Sequence, residues 1–151
     1  MGNRESSKRP HEGLEVWRDA MDLVVAIYRF STSFPEAERF GLTAQMRKAA
    51  ASVPSNIAEG AARRSTREYL RFLSIARGSL AELDTQRQIA VRLGFTEPSS
   101  PLNDLIDRVF AKLTGLMNVL EKRDESSRAR NPALPTPDSQ FPIPDRPPHA
   151  R

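Results

Sequence analysis

Ser52-Val53-Pro54-Ser55-Asn56-Ile57-Ala58-Glu59-Gly60 is the stretch on which the fold turns, with Gln45-Met46-Arg47-Lys48-Ala49-Ala50 before it and Arg63-Arg64-Ser65 after. Leu42, Met46, Ala49, Val53, Ile57 and Ala61 recur every three or four residues and mark one helix face. Pro54 has no N–H for the Ala50 carbonyl, so a kink is expected there. Ala49, Ala50, Ala58 and Ala61 are small enough for close neighbours, so this helix should be packed on more than one side. Gly60 is the expected C-terminal cap.

Three more helices extend outward from this one. The first runs from about Leu14 to Thr32, with Trp17, Ala20/Met21, Val24, Ile27/Tyr28 and Ser31 as its inner stripe. Phe34-Pro35 ends it, because a residue before proline avoids the helical region. The third starts at Ser65-Thr66-Arg67-Glu68, a capping box, and runs to about Leu93. Tyr69, Phe72/Leu73, Ala76, Leu80, Leu83, Ala90 and Leu93 form its stripe, and Gly94-Phe95 reads as a left-handed cap. The fourth opens at Ser100-Pro101 and carries Leu102, Leu105/Ile106, Val109, Leu113, Leu116/Met117 and Leu120. No strand pattern competes. Four amphipathic helices with short connections predict an all-α, antiparallel, up-down-up-down four-helix bundle.

Composition sets its limits. Seven of the twelve prolines lie between Pro132 and Pro148, and Leu134, Phe141 and Ile143 are not at helical spacing. Residues 124–151 are therefore expected to be a disordered Pro-rich tail, residues 1–13 a disordered segment, and residues 14–123 the bundle. With no cysteine, disulfide and thiolate chemistry are excluded. No apolar run nears the roughly 20 residues that span a bilayer, so no membrane partner and a cytoplasmic location are expected. The net charge is +4, mildly basic and dominated by arginine, which suits planar phosphate contacts and ion pairs between helices.

With these elements placed, the chain resembles the four-helix-bundle family named for the 23S rRNA intervening sequence. The resemblance runs from Leu14 to about Leu120. It rests on Leu14-Glu15-Val16-Trp17-Arg18-Asp19-Ala20, Phe34-Pro35, Gly41-Leu42-Thr43-Ala44-Gln45 and the Ser52–Gly60 stretch, and on Phe72–Leu83 and Leu93-Gly94-Phe95. It implies a bundle that assembles as a homopentamer, distantly similar to the accessory variability determinant of diversity-generating retroelements, a basic pentamer that binds nucleic acid and a reverse transcriptase. Bacterial origin is implied as well.

The residues offer little for catalysis. The only histidines, His11 and His149, lie in the polar ends, so the Glu-x-x-His pairs of di-iron bundles are missing. Asp104 and Asp107 share a helix face but read as solvated charges. No catalytic residue, metal or cofactor is therefore expected. Asn56, Glu59, Ser79 and Glu82 read as a structural polar network that serves the backbone groups freed by Pro54, with a small catalytic pocket as the competing reading. Gly78-Ser79 is the expected point of close helix approach, and Ser79 and Gln86 should point inward. Trp17 and Tyr28 read as core or inter-subunit residues rather than a base-stacking platform.

Arginines make the best functional candidate. Arg63 and Arg64 occupy the turn after Gly60, and Arg64, Arg67 and Arg71 have helical spacing. Arg47 and Lys48, nearly four turns away, belong to a second patch or to an oligomer interface. Two readings stand for the cluster: a nucleic-acid contact repeated around an oligomer, or a solvated face with ion pairs such as Arg64–Glu68. The expected function is thus a non-enzymatic, sequence-tolerant binder of RNA or DNA. The alternative is a scaffold for a protein partner such as a reverse transcriptase or nuclease.

Overall fold

The computed structural model describes residues 9–132; residues 1–8 and 133–151, with His149 and most of the Pro-rich segment, lie outside the described residues. Four helices follow in order: α1 (Glu15–Phe30), α2 (Leu42–Ala61), α3 (Thr66–Arg92) and α4 (Ser100–Arg130). No strand occurs among the described residues. Each helix packs on the next and α4 closes back on α1. Lys112 meets both Glu15 and Asp19 while Arg108 meets Asp19, so α4 descends as α1 rises. This is the expected four-helix bundle.

Leu23, Ile27, Met46, Val53, Ile57, Leu73, Leu80, Leu83, Ile106, Val109 and Leu113 are fully buried along the bundle axis. Removing each such side chain from water contributes about 1.5–3 kcal/mol. The stripes of α2, α3 and α4 fall close to where their periodicity places them. On α1 the stripe is displaced: Val16, Ala20, Leu23 and Ile27 are buried, whereas Met21 and Tyr28 are 43% and 48% exposed. Val16–Ala20–Leu23–Ile27 and Met21–Val25–Tyr28 are both apolar at helical spacing, so periodicity alone does not decide which one faces the core.

The punctuation follows local chemistry, with shifts. Phe34 is extended before Pro35, and the turn before it tightens into a 3-10 segment at Ser31–Ser33. Gly94 takes φ +74°, and the bonds from the Phe95 N–H to the Ala90 carbonyl and from the Gly94 N–H to the Val91 carbonyl complete the cap. Ser65 accepts from the Glu68 amide, but the Glu68 carboxylate accepts from the Ser65 hydroxyl rather than from its backbone N–H. At α4 the capping serine is Ser99, one residue before the expected Ser100, because Pro101 takes the second helical position.

Both expected ends of the bundle move outward. Pro10–Gly13 forms a 3-10 turn, fixed by the Arg9 N–H donating to the Glu12 carboxylate and by His11 set edge-on against Trp17. α4 continues through residues 124–130, which the absence of an apolar stripe had placed in the tail. An Arg128–Asp124 ion pair at 3.1 Å holds it, and Arg128 and Arg130 suit the negative end of the helix dipole. Pro132 favours an extended Asn131 and ends it.

One polar clasp spans the bundle. Lys112 Nζ donates to Asp19 Oδ2 at 2.6 Å and lies 3.3 Å from Glu15. The hydrogen bond to Asp19 raises the lysine pKa above 10.5. The pair's contribution is complete while the ammonium is charged and is lost as pH climbs through that raised value. Asp19→Ala should therefore lower Tm at neutral pH, and the gap to wild type should narrow above pH 10.5. Equal Tm values at pH 7 would show the clasp to be idle.

Candidate nucleic-acid interface

Gly60 is not the cap its position suggested. It lies inside α2, buried, and the cap residue is Ala62. A Cβ at Gly60 would stand 2.9 Å from both the Phe72 Cβ and a Tyr69 ring carbon, and 3.2 Å from the Tyr69 carbonyl. Here α2 meets the first turns of α3, and burial raises the pKa of Tyr69. Gly78 is the reverse case: it is exposed, with nothing within 4 Å of an added Cβ. Of the approach expected at Gly78-Ser79, Ser79 does meet α2 through the Ser52 hydroxyl at 2.9 Å, Gly78 does not, and the glycine that admits the neighbouring helix is Gly60.

This joint gathers the arginines. Arg63, Arg67, Glu68, Arg71 and Phe72 line an open concavity of about 370 Å³. The Arg63 and Arg71 guanidinium carbons stand 4.8 and 5.2 Å from the centre of the Phe72 ring. Such cation–ring contacts are worth about 0.5–1 kcal/mol at exposed sites. They hold two flexible side chains over one spot. Phe72 itself is only 8% exposed, so the ring orients arginines and offers no face to a nucleobase.

Arg63 also pairs with Glu59 at 2.9 Å. Among the described residues, no carboxylate lies within ion-pair distance of Arg64, Arg67 or Arg71. The Arg64–Glu68 pair of the solvated-face reading does not form, since the Glu68 carboxylate accepts from the Ser65 hydroxyl. Arg64 is exposed outside the concavity, because α3 begins at Thr66 and helical spacing cannot be counted from the turn. Arg63 takes its place.

Arg47 and Lys48 form a separate site. Arg47 donates to the Ser31 hydroxyl at 2.9 Å and the Tyr28 carbonyl at 3.4 Å, with its guanidinium 4.5 Å above the Tyr28 ring. It ties α2 to the last turn of α1. Lys48 is exposed beside it, in a concavity of about 460 Å³ shared with Tyr28, Phe40 and Ala44. Phe40 is 86% exposed.

The four residues expected to form one polar network divide into three places. Asn56 donates to the Ser52 carbonyl and hydroxyl, and the Ser52 and Ser79 hydroxyls bond at 2.9 Å between α2 and α3. Glu59 turns outward to Arg63, and Glu82 accepts from Gln86, which is buried as expected. None of these bonds reaches the Ala50 carbonyl opposite Pro54, so the network fixes α2 against α3 rather than repairing the proline site. Asp104 and Asp107 are exposed. Among the described residues no three His, Cys, Asp or Glu side chains group together.

The fold and this joint define a small helical bundle with an arginine cluster at one end, two of its guanidiniums set over the Phe72 ring. Residues 12–115 match the 23S rRNA-intervening sequence protein family, and the chain belongs to it. Among curated proteins, none matches the chain. No helix among the described residues is long and apolar enough to cross a membrane.

Proposed function

We propose that the protein is a non-enzymatic, cytoplasmic homo-oligomer, pentameric by its family resemblance, that holds the phosphate backbone of RNA or DNA through Arg63, Arg67 and Arg71. One observation carries this reading: three arginines line one concavity at the α2–α3 joint, and of the three only Arg63 has a carboxylate within ion-pair distance. Guanidiniums favour planar anions such as phosphate. Nothing in the concavity presents a base-reading pattern, so binding is insensitive to sequence. The test is affinity for mixed-sequence RNA and DNA across a salt series, with the three arginines changed to alanine. Binding that the variant retains in full would end the proposal.

The oligomer rests on a second surface. Met21, Val25 and Tyr28 make an apolar strip on the outer face of α1, and Phe40 projects beside Tyr28. A neighbouring bundle covering this strip would bury it, and each large side chain would add about 1.5–3 kcal/mol. Val25→Asp with Phe40→Asp should convert the assembly to monomers at micromolar concentration, as read by mass measurement in solution, with helical content unchanged. A wild-type chain that is itself monomeric would move this strip to the alternative reading, a dock for a protein partner such as a reverse transcriptase or nuclease.

A further inference from the structure

The last turns of α4 carry a feature that lies beyond the residues matched by the family. Leu120 is the final core residue of α4, and Glu121–Arg130 continues past it. At 100° per residue, Lys122, Arg123, Ser126, Ser127 and Arg130 fall within an arc of about 140° that holds no acid. Glu121, Asp124 and Glu125 occupy the other side with Arg128, which pairs with Asp124. The five residues of the basic arc line a shallow groove of about 340 Å³.

This arc continues a strip that begins higher on α4. Lys112 to Arg130 and Arg108 to Ser126 are both spaced by about five turns of 3.6 residues, so they share a flank. That flank faces α1, whose Asp19 and Glu15 pair with Arg108 and Lys112. Lys112 already meets Glu15, the first residue of α1, so α4 beyond it has run past the start of its neighbour. Among the described residues, Lys122, Arg123 and Arg130 have no carboxylate within ion-pair distance.

We infer that this face of α4 is a second nucleic-acid contact, taking the backbone of a double-stranded segment. It goes beyond the proposed function, because it stands whether or not the Arg63 cluster binds. Three cations at helical intervals, with the Ser126 hydroxyl between them to donate to a phosphate oxygen, form a linear array of backbone contacts. The Ser127 hydroxyl donates instead to the Arg123 carbonyl at 2.9 Å. A single strand would call for exposed aromatic faces on which to stack, and the arc has none. Arg67 and Arg71 lie with Arg63 of the α2–α3 turn on the α2–α3 side of the bundle, whereas the α4 arc lies on the α1 side. The two surfaces therefore look to different sides.

The experiment uses the full chain with Lys122→Ala, Arg123→Ala and Arg130→Ala combined, and Arg128→Ala as the control from the opposite face. Affinity is measured for a mixed-sequence duplex, as RNA and as DNA, and for the single strands, over a salt series. Each lost phosphate contact should reduce the log–log salt slope by about 1, so the triple variant should lose about 3. Arg128→Ala should leave the slope unchanged. Should alanine disturb the helix by circular dichroism, glutamine at the same three positions gives an uncharged variant of similar propensity and the same readout. An unchanged slope in the triple variant, an equal per-charge effect of Arg128→Ala, or tighter binding of single strand than of duplex overturns the inference. Loss in this variant with none in the Arg63 cluster variant upholds it and rejects the cluster.

Discussion

Changing Arg63, Arg67 and Arg71 together to alanine is expected to lower affinity for nucleic acid about 100-fold at low salt and to cut the salt slope by about 3. The fold-change follows from three solvent-exposed ionic contacts, each worth about 1 kcal/mol, and from about 1.4 kcal/mol per factor of ten. Repetition around an oligomer would deepen the loss, because every linked copy is weakened at once. Single variants separate binding from packing. Arg63 and Arg71 cover the Phe72 ring, so removing either exposes apolar surface and lowers Tm as well. Arg67 lines the same concavity without a Phe72 ring contact, so Arg67→Ala should weaken binding with Tm unchanged. Lysine at all three positions should keep most of the salt slope and lose part of the affinity, since the ammonium keeps the charge without the planar fork. Affinity that survives the alanine variant would make the cluster a solvated face.

How much of this was legible depends on the range of each signal. Helix starts, the Gly94 cap and the inward Gln86 rest on residues within one or two turns of each other, and the sequence displays them. The stripe of α1 is ambiguous in the sequence because two apolar faces share the helix, and only the partner helices select between them. The arginine cluster was legible as composition and not as geometry: Arg64 had the spacing, but the start of α3 at Thr66 gives the position to Arg63. Phe72 read as core and is core, and its role in orienting two guanidiniums depends on the pairing of α2 with α3. The end of α4 is not legible from an apolar stripe, because residues 121–130 carry none. Residues 121–130 have a different mark, segregated charge of both signs at helical spacing. Glu59 is expected in one polar network with Asn56, Ser79 and Glu82, yet a carboxylate one turn before Arg63 finds its partner on the surface.

Gly60→Val is expected to destabilise the bundle by about 3 kcal/mol or more, and Gly60→Ala by about 1–2 kcal/mol. Helix propensity argues the other way. Gly60 lies inside α2 with an ordinary helical φ, where alanine is favoured over glycine by about 1 kcal/mol. Sterics must outweigh that gain. The atoms an added Cβ would meet are the Phe72 Cβ and a Tyr69 ring carbon at 2.9 Å and the Tyr69 carbonyl at 3.2 Å. Two of these are fixed to the backbone of α3, so a rotamer change cannot make room and the helices must separate. Separation would open the surface between α2 and α3, the most extensive contact in the bundle, and would pull Arg63 away from the Phe72 ring. Valine adds two methyl groups to the same clash and forfeits the propensity gain. Thermal unfolding should show a Tm lower by about 5 °C per kcal/mol for a domain of this size. Gly78→Ala is the matched control: nothing lies within 4 Å of its Cβ, so propensity alone acts and Tm should rise. A Tm that rises for Gly60→Ala as it does for Gly78→Ala would mean that α2 and α3 do not meet at this glycine.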